Sequence, residues 1–322
     1  MSGVSSAPAF LAVFSRLSPA LSALAGAYAA GTGPRQLLLS GPEGTGKKTL
    51  AVLLAQALLC REENSPCGSC QACGSTESGA HPNLVILRAD AGKKTIRVEQ
   101  ARALLRTLSA FPFSPGARPV LILGADTLTP AAQNALLKAV EEPDAATWFI
   151  LTCTREKAVL PTIRSRCRTV RMPPWPDALI IEVLVQAGVP KDEAKSLADL
   201  SGASPGTALS IRGDKAFWDM KRLADAAVLG LRGLSGLPES SRRMRDAKDA
   251  ADDLLDYLEG AALRLIREGG PQSPDAARAG RLLEAVFAAR EQRAVNVSWQ
   301  GVADTLLLSL LEESVSCPPS LA

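Results

Sequence analysis

Hydrophobic positions in the first half of the chain alternate between short, wholly apolar runs and longer stretches with helical spacing. Gln36–Ser40 (QLLLS) is a run of strand length, and a glycine-rich turn separates it from a helical stretch over Lys47–Leu59. Asn83–Leu87 (NLVIL), Val120–Leu123 and Trp148–Thr152 (WFILT) read as further strands, with Thr169–Met172 as a fifth. Helical spacing fills Val98–Leu108 and Pro130–Glu142 between them. Strands apolar on both faces and alternating with helices predict a doubly wound parallel sheet, an α/β fold. The alternation stops at Pro173-Pro174-Trp175-Pro176, a boundary signal. Beyond it only helical periodicity remains, over Asp177–Ala187, Lys191–Leu200 and a longer set from about Lys215 to Glu313, broken at Gly269-Gly270-Pro271. The expected order is therefore α/β then all-α: a sheet domain over 1–172, a small helical domain over 173–213 and a helical bundle over 214–322.

Composition narrows this picture. Of the 322 residues 47% are hydrophobic but only 4% aromatic, so the core is built from Ala, Leu and Val. Ala and Leu favour helices, whereas β-sandwiches lean on β-branched and aromatic residues, and an all-β fold is excluded. A formal charge of +3 is too mild to mark a nucleic-acid protein, so any basic surface must be local. No apolar run approaches the roughly 18–20 residues of a membrane span, and no membrane partner is expected. The apolar start, Ala7 to Ala30, contains Ala27-Tyr28-Ala29 but has no leading Lys or Arg and is interrupted by Arg16. It is read as an amphipathic helix rather than a secretory leader, in a cytoplasmic protein.

Gly41-Pro42-Glu43-Gly44-Thr45-Gly46-Lys47 lies between a predicted strand and a predicted helix. A loop there aims successive N–H groups and a helix N-terminus at one point, which suits a phosphate chain; Gly41, Gly44, Gly46 and Lys47 are the candidate ATP- or ADP-binding residues. The pattern then requires Ser or Thr for Mg²⁺, yet Lys48 stands there, and Thr49 is turned about 100° round the helix. The strand Val120–Leu123 should end in acids for the metal and the attacking water; Leu123 and Gly124 occupy those places, and Asp126 is expected to cap a turn or helix. These gaps argue against tight nucleotide binding and against intrinsic hydrolysis. Four of the seven cysteines, Cys60, Cys67, Cys70 and Cys73, are spaced C-x6-C-x2-C-x2-C. That set suits a closed, structural Zn²⁺ site; two disulfides or an iron–sulfur cluster are the alternatives, and the single histidine, His81, is expected to be structural.

The loop 41–47, the four cysteines, Gly79-Ala80-His81-Pro82, Gln133-Asn134-Ala135-Leu136-Leu137-Lys138-Ala139-Val140-Glu141-Glu142-Pro143 and Ser165-Arg166-Cys167 follow one another as in bacterial clamp-loader subunits, AAA+ proteins that the chain resembles over about residues 10–210. In that family the gamma/tau branch hydrolyses ATP and keeps the hydroxyl and acids that are here Lys48, Leu123 and Gly124. The chain therefore looks like the delta-prime branch, which does not hydrolyse. The resemblance implies a P-loop-type AAA+ domain with a zinc module at 60–73, a lid, and a collar that assembles with gamma/tau and delta subunits of DNA polymerase III, a DNA-directed DNA polymerase. The ring would act on the sliding clamp and primed DNA. It further implies that Arg166, in Ser165-Arg166-Cys167, is an arginine finger serving a neighbouring ATPase subunit. Thr152 falls at the first sensor position, and Gly206 stands where an ATPase has the second sensor's arginine. The rival expectations are a gamma/tau-type ATPase with a divergent site and a zinc-stapled nucleic-acid-binding protein acting alone.

Overall fold

The computed structural model describes residues 7–109, 115–231, 233–269 and 274–311. The chain divides into two compact units, Met1–Ala208 and Leu209–Ala322. The first begins with α1 (Ala7–Leu17) and α2 (Pro19–Ala29), then β1 (Gln36–Ser40), α3 (Lys47–Leu59), α4 (Gln71–Glu77), β2 (Val85–Leu87), α5 (Val98–Ser109) and β3 (Arg118–Leu123). It continues with α6 (Pro130–Glu141), β4 (Thr147–Cys153), α7 (Pro161–Arg164), β5 (Arg168–Arg171), α8 (Asp177–Gln186), α9 (Lys191–Leu200) and the start of α10 (Pro205–Arg212).

The strands form one five-stranded sheet in the order β2-β3-β4-β1-β5, and every pairing is parallel. This is the parallel α/β sheet that the alternation of strands and helices predicts. One face, carrying Leu38, Leu87, Val120, Ile122, Phe149 and Leu151, is buried with Ala101 and Leu104 of α5 and Ala132, Leu136 and Val140 of α6. α3 packs on β1, β3 and β4 and buries Leu50, Leu53 and Leu54. Alternation of side chains along each strand explains why β1 and β4 read as continuous apolar runs: both faces are covered.

The second unit holds α11 (Lys215–Ala224), α12 (Leu237–Asp246), α13 (Ala251–Gly269), α14 (Pro274–Ala294) and α15 (Trp299–Ser309). α13 packs on α14, α14 on α15 and α15 on α12, around Leu254, Leu258, Val286, Val302 and Leu306. Of the expected break at Gly269-Gly270-Pro271, residues 270 and 271 lie outside the described residues. One expectation is corrected. The N-terminal stretch is two helices rather than one, because Ser18 is extended (φ −161°, ψ 128°) and Pro19 opens α2 at a position where its missing N–H costs no bond. Among the described residues no helix is long and apolar enough to cross a membrane.

Candidate functional site

The glycine-rich loop joins the C-terminal end of β1 to the N-terminus of α3 as the sequence predicts. Gly41, Gly44 and Gly46 all have positive φ, which lets the backbone curl tightly before the helix starts. Lys47 is buried, and its ammonium donates to the carbonyls of Gly41, at 2.7 Å, and Pro42. Burial lowers its pKa, against the raising influence of Cys153, Asp126 and Glu43. Lys48 is exposed. On the neighbouring strands Thr152 Oγ1 accepts from the Gly124 N–H at 3.0 Å, which joins the ends of β3 and β4 beside the loop. Asp126 does not cap a helix: Thr129 caps α6, and Asp126 Oδ2 accepts from the Arg155 N–H at 3.1 Å.

Two later segments close over the loop. The Trp175 indole donates to Thr45 O at 3.1 Å, Ser204 Oγ donates to Glu43 O at 2.9 Å, and the Gly206 N–H donates to Gly44 O at 2.9 Å. Phe14 of α1 lies against Gly46 and meets the Trp175 ring edge-on at 5.7 Å. None of these long-range contacts carried a signal in the sequence.

The cysteines converge as their spacing predicts. Cys60 ends α3, Cys70 caps α4 and Cys73 sits in its first turn, and the four sulfurs lie within 4.8 Å of one another. Cys60–Cys70 and Cys67–Cys73 separations of 3.9 and 4.0 Å compare with about 3.8 Å for the edge of a tetrahedron of thiolates around zinc. Amides of Ser69 and Cys70 with the Ser69 hydroxyl hold the Cys67 thiol down at about 6, while burial pushes Cys73 up. The donor set fits a closed structural metal site, with Cys67 as the readiest thiolate. His81 is outside the group; its Nδ1 accepts from the Asn83 N–H at 3.1 Å, and burial lowers its pKa.

Arg166 follows α7 and precedes β5. Its guanidinium donates to Thr162 O at 2.9 Å and to Glu141 Oε1 at 2.6 Å, and it remains solvent-accessible. Ser165 Oγ bonds Thr162 O at 3.2 Å, whereas Cys167 is buried in the core beneath, with its thiol pushed up to about 12. Since β1 and β5 run parallel with Leu37 opposite Arg168, the two motifs lie at opposite ends of the sheet. Gly41 stands four residues beyond Leu37, about 13 Å at 3.3 Å per residue, while Arg166 lies on the other side of that register. The turn is anchored by Gln133, a buried residue of α6 whose amide donates to Leu128 O and Ala158 O and accepts from the Leu160 N–H. Most of the arginines around it have acids: Arg155 pairs with Asp126, and Arg164 and Arg171 with Glu156.

A second basic strip lies elsewhere on the surface. Arg88, Lys93, Lys94, Arg97, Arg102 and Arg106 are all exposed, on the β2–α5 connection and α5 itself. Only Lys93 has an acidic partner among the described residues, Asp90 at 3.5 Å. Its signal is the excess of Lys and Arg over Asp90 and Glu99 in that stretch.

The sequence profile of the family described as "DNA polymerase III, delta subunit" matches residues 17–176. The DNA polymerase III delta-prime subunit of Escherichia coli K12 is 35% identical over 198 residues, 61% of this chain and 59% of that one. That of Bacillus subtilis is 34% identical over 51% of this chain and 50% of its own length. The gamma/tau subunit of Mycobacterium tuberculosis H37Rv is 34% identical over 54% of this chain but 31% of its own. The chain thus spans half to three-fifths of the length of these delta-prime relatives. Among solved structures, RuvB of Thermotoga maritima aligns over 93% of this chain and 87% of that one with a TM-score of 0.45 and 17% identity. Over residues 17–176 the chain belongs to the DNA polymerase III delta-prime family, within the clamp-loader group to which its motifs pointed.

Proposed function

We propose that the protein is a non-hydrolysing subunit of a clamp-loader ring, lending Arg166 to a nucleoside triphosphate held by a neighbouring gamma/tau-type subunit. One observation carries this reading: the exposed guanidinium lies at the end of the sheet away from the chain's own phosphate loop, beyond the reach of a single side chain. A planar, permanently charged fork suits γ-phosphate oxygens, and an arginine supplied in trans accelerates phosphoryl transfer by large factors. Its own loop has Lys48 for the metal-binding hydroxyl, and Leu123 and Gly124 for the acids that would hold Mg²⁺ and orient water.

Within this reading residues 1–172 form the AAA+ domain, 173–213 a lid and 214–322 a collar that associates with gamma/tau and delta subunits. Zinc held by Cys60, Cys67, Cys70 and Cys73 ties the end of α3 to the start of α4. The exposed strip from Arg88 to Arg106, in which only Lys93 has an acidic partner among the described residues, supplies cations for DNA phosphates, and would act once the ring is assembled around the primed template. The test is reconstitution with gamma/tau and delta subunits. Arg166→Ala is expected to leave assembly intact and to slow hydrolysis at the neighbouring site by on the order of 10³-fold. An unchanged DNA-dependent rate contradicts the assignment. Hydrolysis by the isolated chain would favour the gamma/tau-type alternative, which the M. tuberculosis relative keeps in view.

A further inference from the structure

We propose that Gln56, a buried residue of α3, is a positioning residue for the cysteine site: it fixes Cys60 against the other three sulfurs. The proposal rests on the reading of that group as a zinc site.

Three of the four cysteines are arranged by their own stretch of chain. The Cys70 N–H donates to Cys67 Sγ at 3.3 Å and the Cys73 N–H to Cys70 Sγ at 3.5 Å, so the turn at 67–73 sets these sulfurs locally. Cys60 comes from outside that turn. It closes the C-terminal end of α3, with six residues between it and Cys67.

Gln56 reaches both parts. It stands four residues before Cys60, on nearly the same side of α3, and its backbone carbonyl accepts from the Cys60 N–H at 2.8 Å. Its side-chain Nε2 donates to the Cys73 carbonyl at 3.0 Å, across 17 residues of sequence. Cys60 and Cys73 belong to different close pairs, Cys60–Cys70 and Cys67–Cys73, so one residue ties the two pairs together.

Packing does not explain this side chain. Gln56 is 3% exposed, and Leu53, Leu54, Ala55 and Ala57 around it on α3 are buried as well. Its Oε1 is buried with no hydrogen-bond partner among the described residues. An unpaired buried oxygen is unfavourable, and Met or Leu would fill the space without it. What the amide contributes is its one bond, and that bond ends on a cysteine of the site. Groups that hold a metal's ligands in place set how tightly the metal is bound. By gripping Cys73 O, Gln56 fixes the start of α4 against the end of α3, and with it the distance from Cys60 to the other sulfurs.

Metal competition on the full chain tests this. Gln56→Met keeps the length of the side chain and loses the donor; its affinity for zinc, measured against a chelating indicator, is expected to fall about tenfold. With cobalt(II) as the probe, the absorption bands of a tetrahedral thiolate site should shift in Gln56→Met relative to wild type. Thr76→Val removes an equally buried bond of the same module, Thr76 Oγ1 to Ala72 O at 2.7 Å, that does not join α4 to α3. It should match wild type in both readouts. Equal affinity and equal cobalt spectra for Gln56→Met and wild type overturn the proposal. An equal loss in Thr76→Val also overturns it, by making Gln56 one packing bond among several. Should Gln56→Met fail to fold, the Gln56 side-chain amide resonance of the wild-type protein is followed as cadmium replaces zinc. It should shift, and an unmoved resonance overturns the proposal. Wild-type protein that binds no zinc overturns the zinc reading and the Gln56 role together, whereas a zinc-loaded wild type that Gln56→Met equals removes the Gln56 role alone.

Discussion

The two ends of the sheet are built differently. At the end where β1 runs into its glycine-rich loop, Lys48, Leu123 and Gly124 stand at the places where the sequence pattern asks for a hydroxyl and two acids, and the loop's carbonyls are taken by Trp175, Ser204 and Gly206. At the other end the turn before β5 carries an exposed arginine bonded to Glu141 and Thr162, and the chain leading to that turn is held by the buried amide of Gln133. The role proposed for Arg166 asks for only one exposed cation on a bonded base, which this end of the sheet supplies.

The largest expected effect tests whether the intact end acts as a fork or as a mere charge. Arg166→Lys keeps the charge and loses the bidentate geometry; the ring's ATPase should fall nearly as far as with Arg166→Ala, and full retention of rate would show that position-specific hydrogen bonds are not used. Next in size is Cys70→Ser, which should abolish stoichiometric zinc, measured by metal analysis, and expose 60–83 to proteolysis. Absence of zinc from wild-type protein purified without chelator contradicts the metal assignment.

A smaller effect concerns the base of the end that bears Arg166. Asp144 meets the buried Arg118 where β3 and β4 begin. Burial raises its pKa, but bonds from Thr147, Ala146 and Arg118 together outweigh that and leave it below the ordinary carboxylate value. The stabilisation is therefore complete above the unfolded-state pKa of 3.8 and is lost as pH falls below it through the folded value. Because the side chain is half exposed, it amounts to about 1 kcal/mol or less. Asp144→Asn should lower Tm at neutral pH and narrow the gap to wild type in acid, as read by thermal melts across pH 2–6. The smallest effect is Glu141→Gln, which frees Arg166 from its resting partner and should change the ring's apparent affinity for ATP by about two- to fivefold, in the tighter direction.

What could be read from the sequence follows the range of the interactions involved. β1 and α3 were read to the residue, because QLLLS is bounded by Gly41 and the helix starts directly after Gly46. The cysteine group was legible because all four ligands fall within 60–73. Ser18-Pro19 was local too, yet the apolar composition on both sides hid the break. The partners of Asp126, Gln133 and Gly206 were invisible, since each depends on segments that only the folded sheet brings together. Gly206 in particular read as a missing arginine; only the closeness of Gly44 gives it a positive reason.

The most direct measurement is single-turnover ATP hydrolysis by three samples: this protein alone, gamma/tau and delta subunits completed with it, and the same subunits completed with Arg166→Ala. The account predicts no turnover in the first, rapid turnover in the second and a slow phase at one site in the third. Turnover by the protein alone, or identical kinetics in the two completed rings, would contradict it.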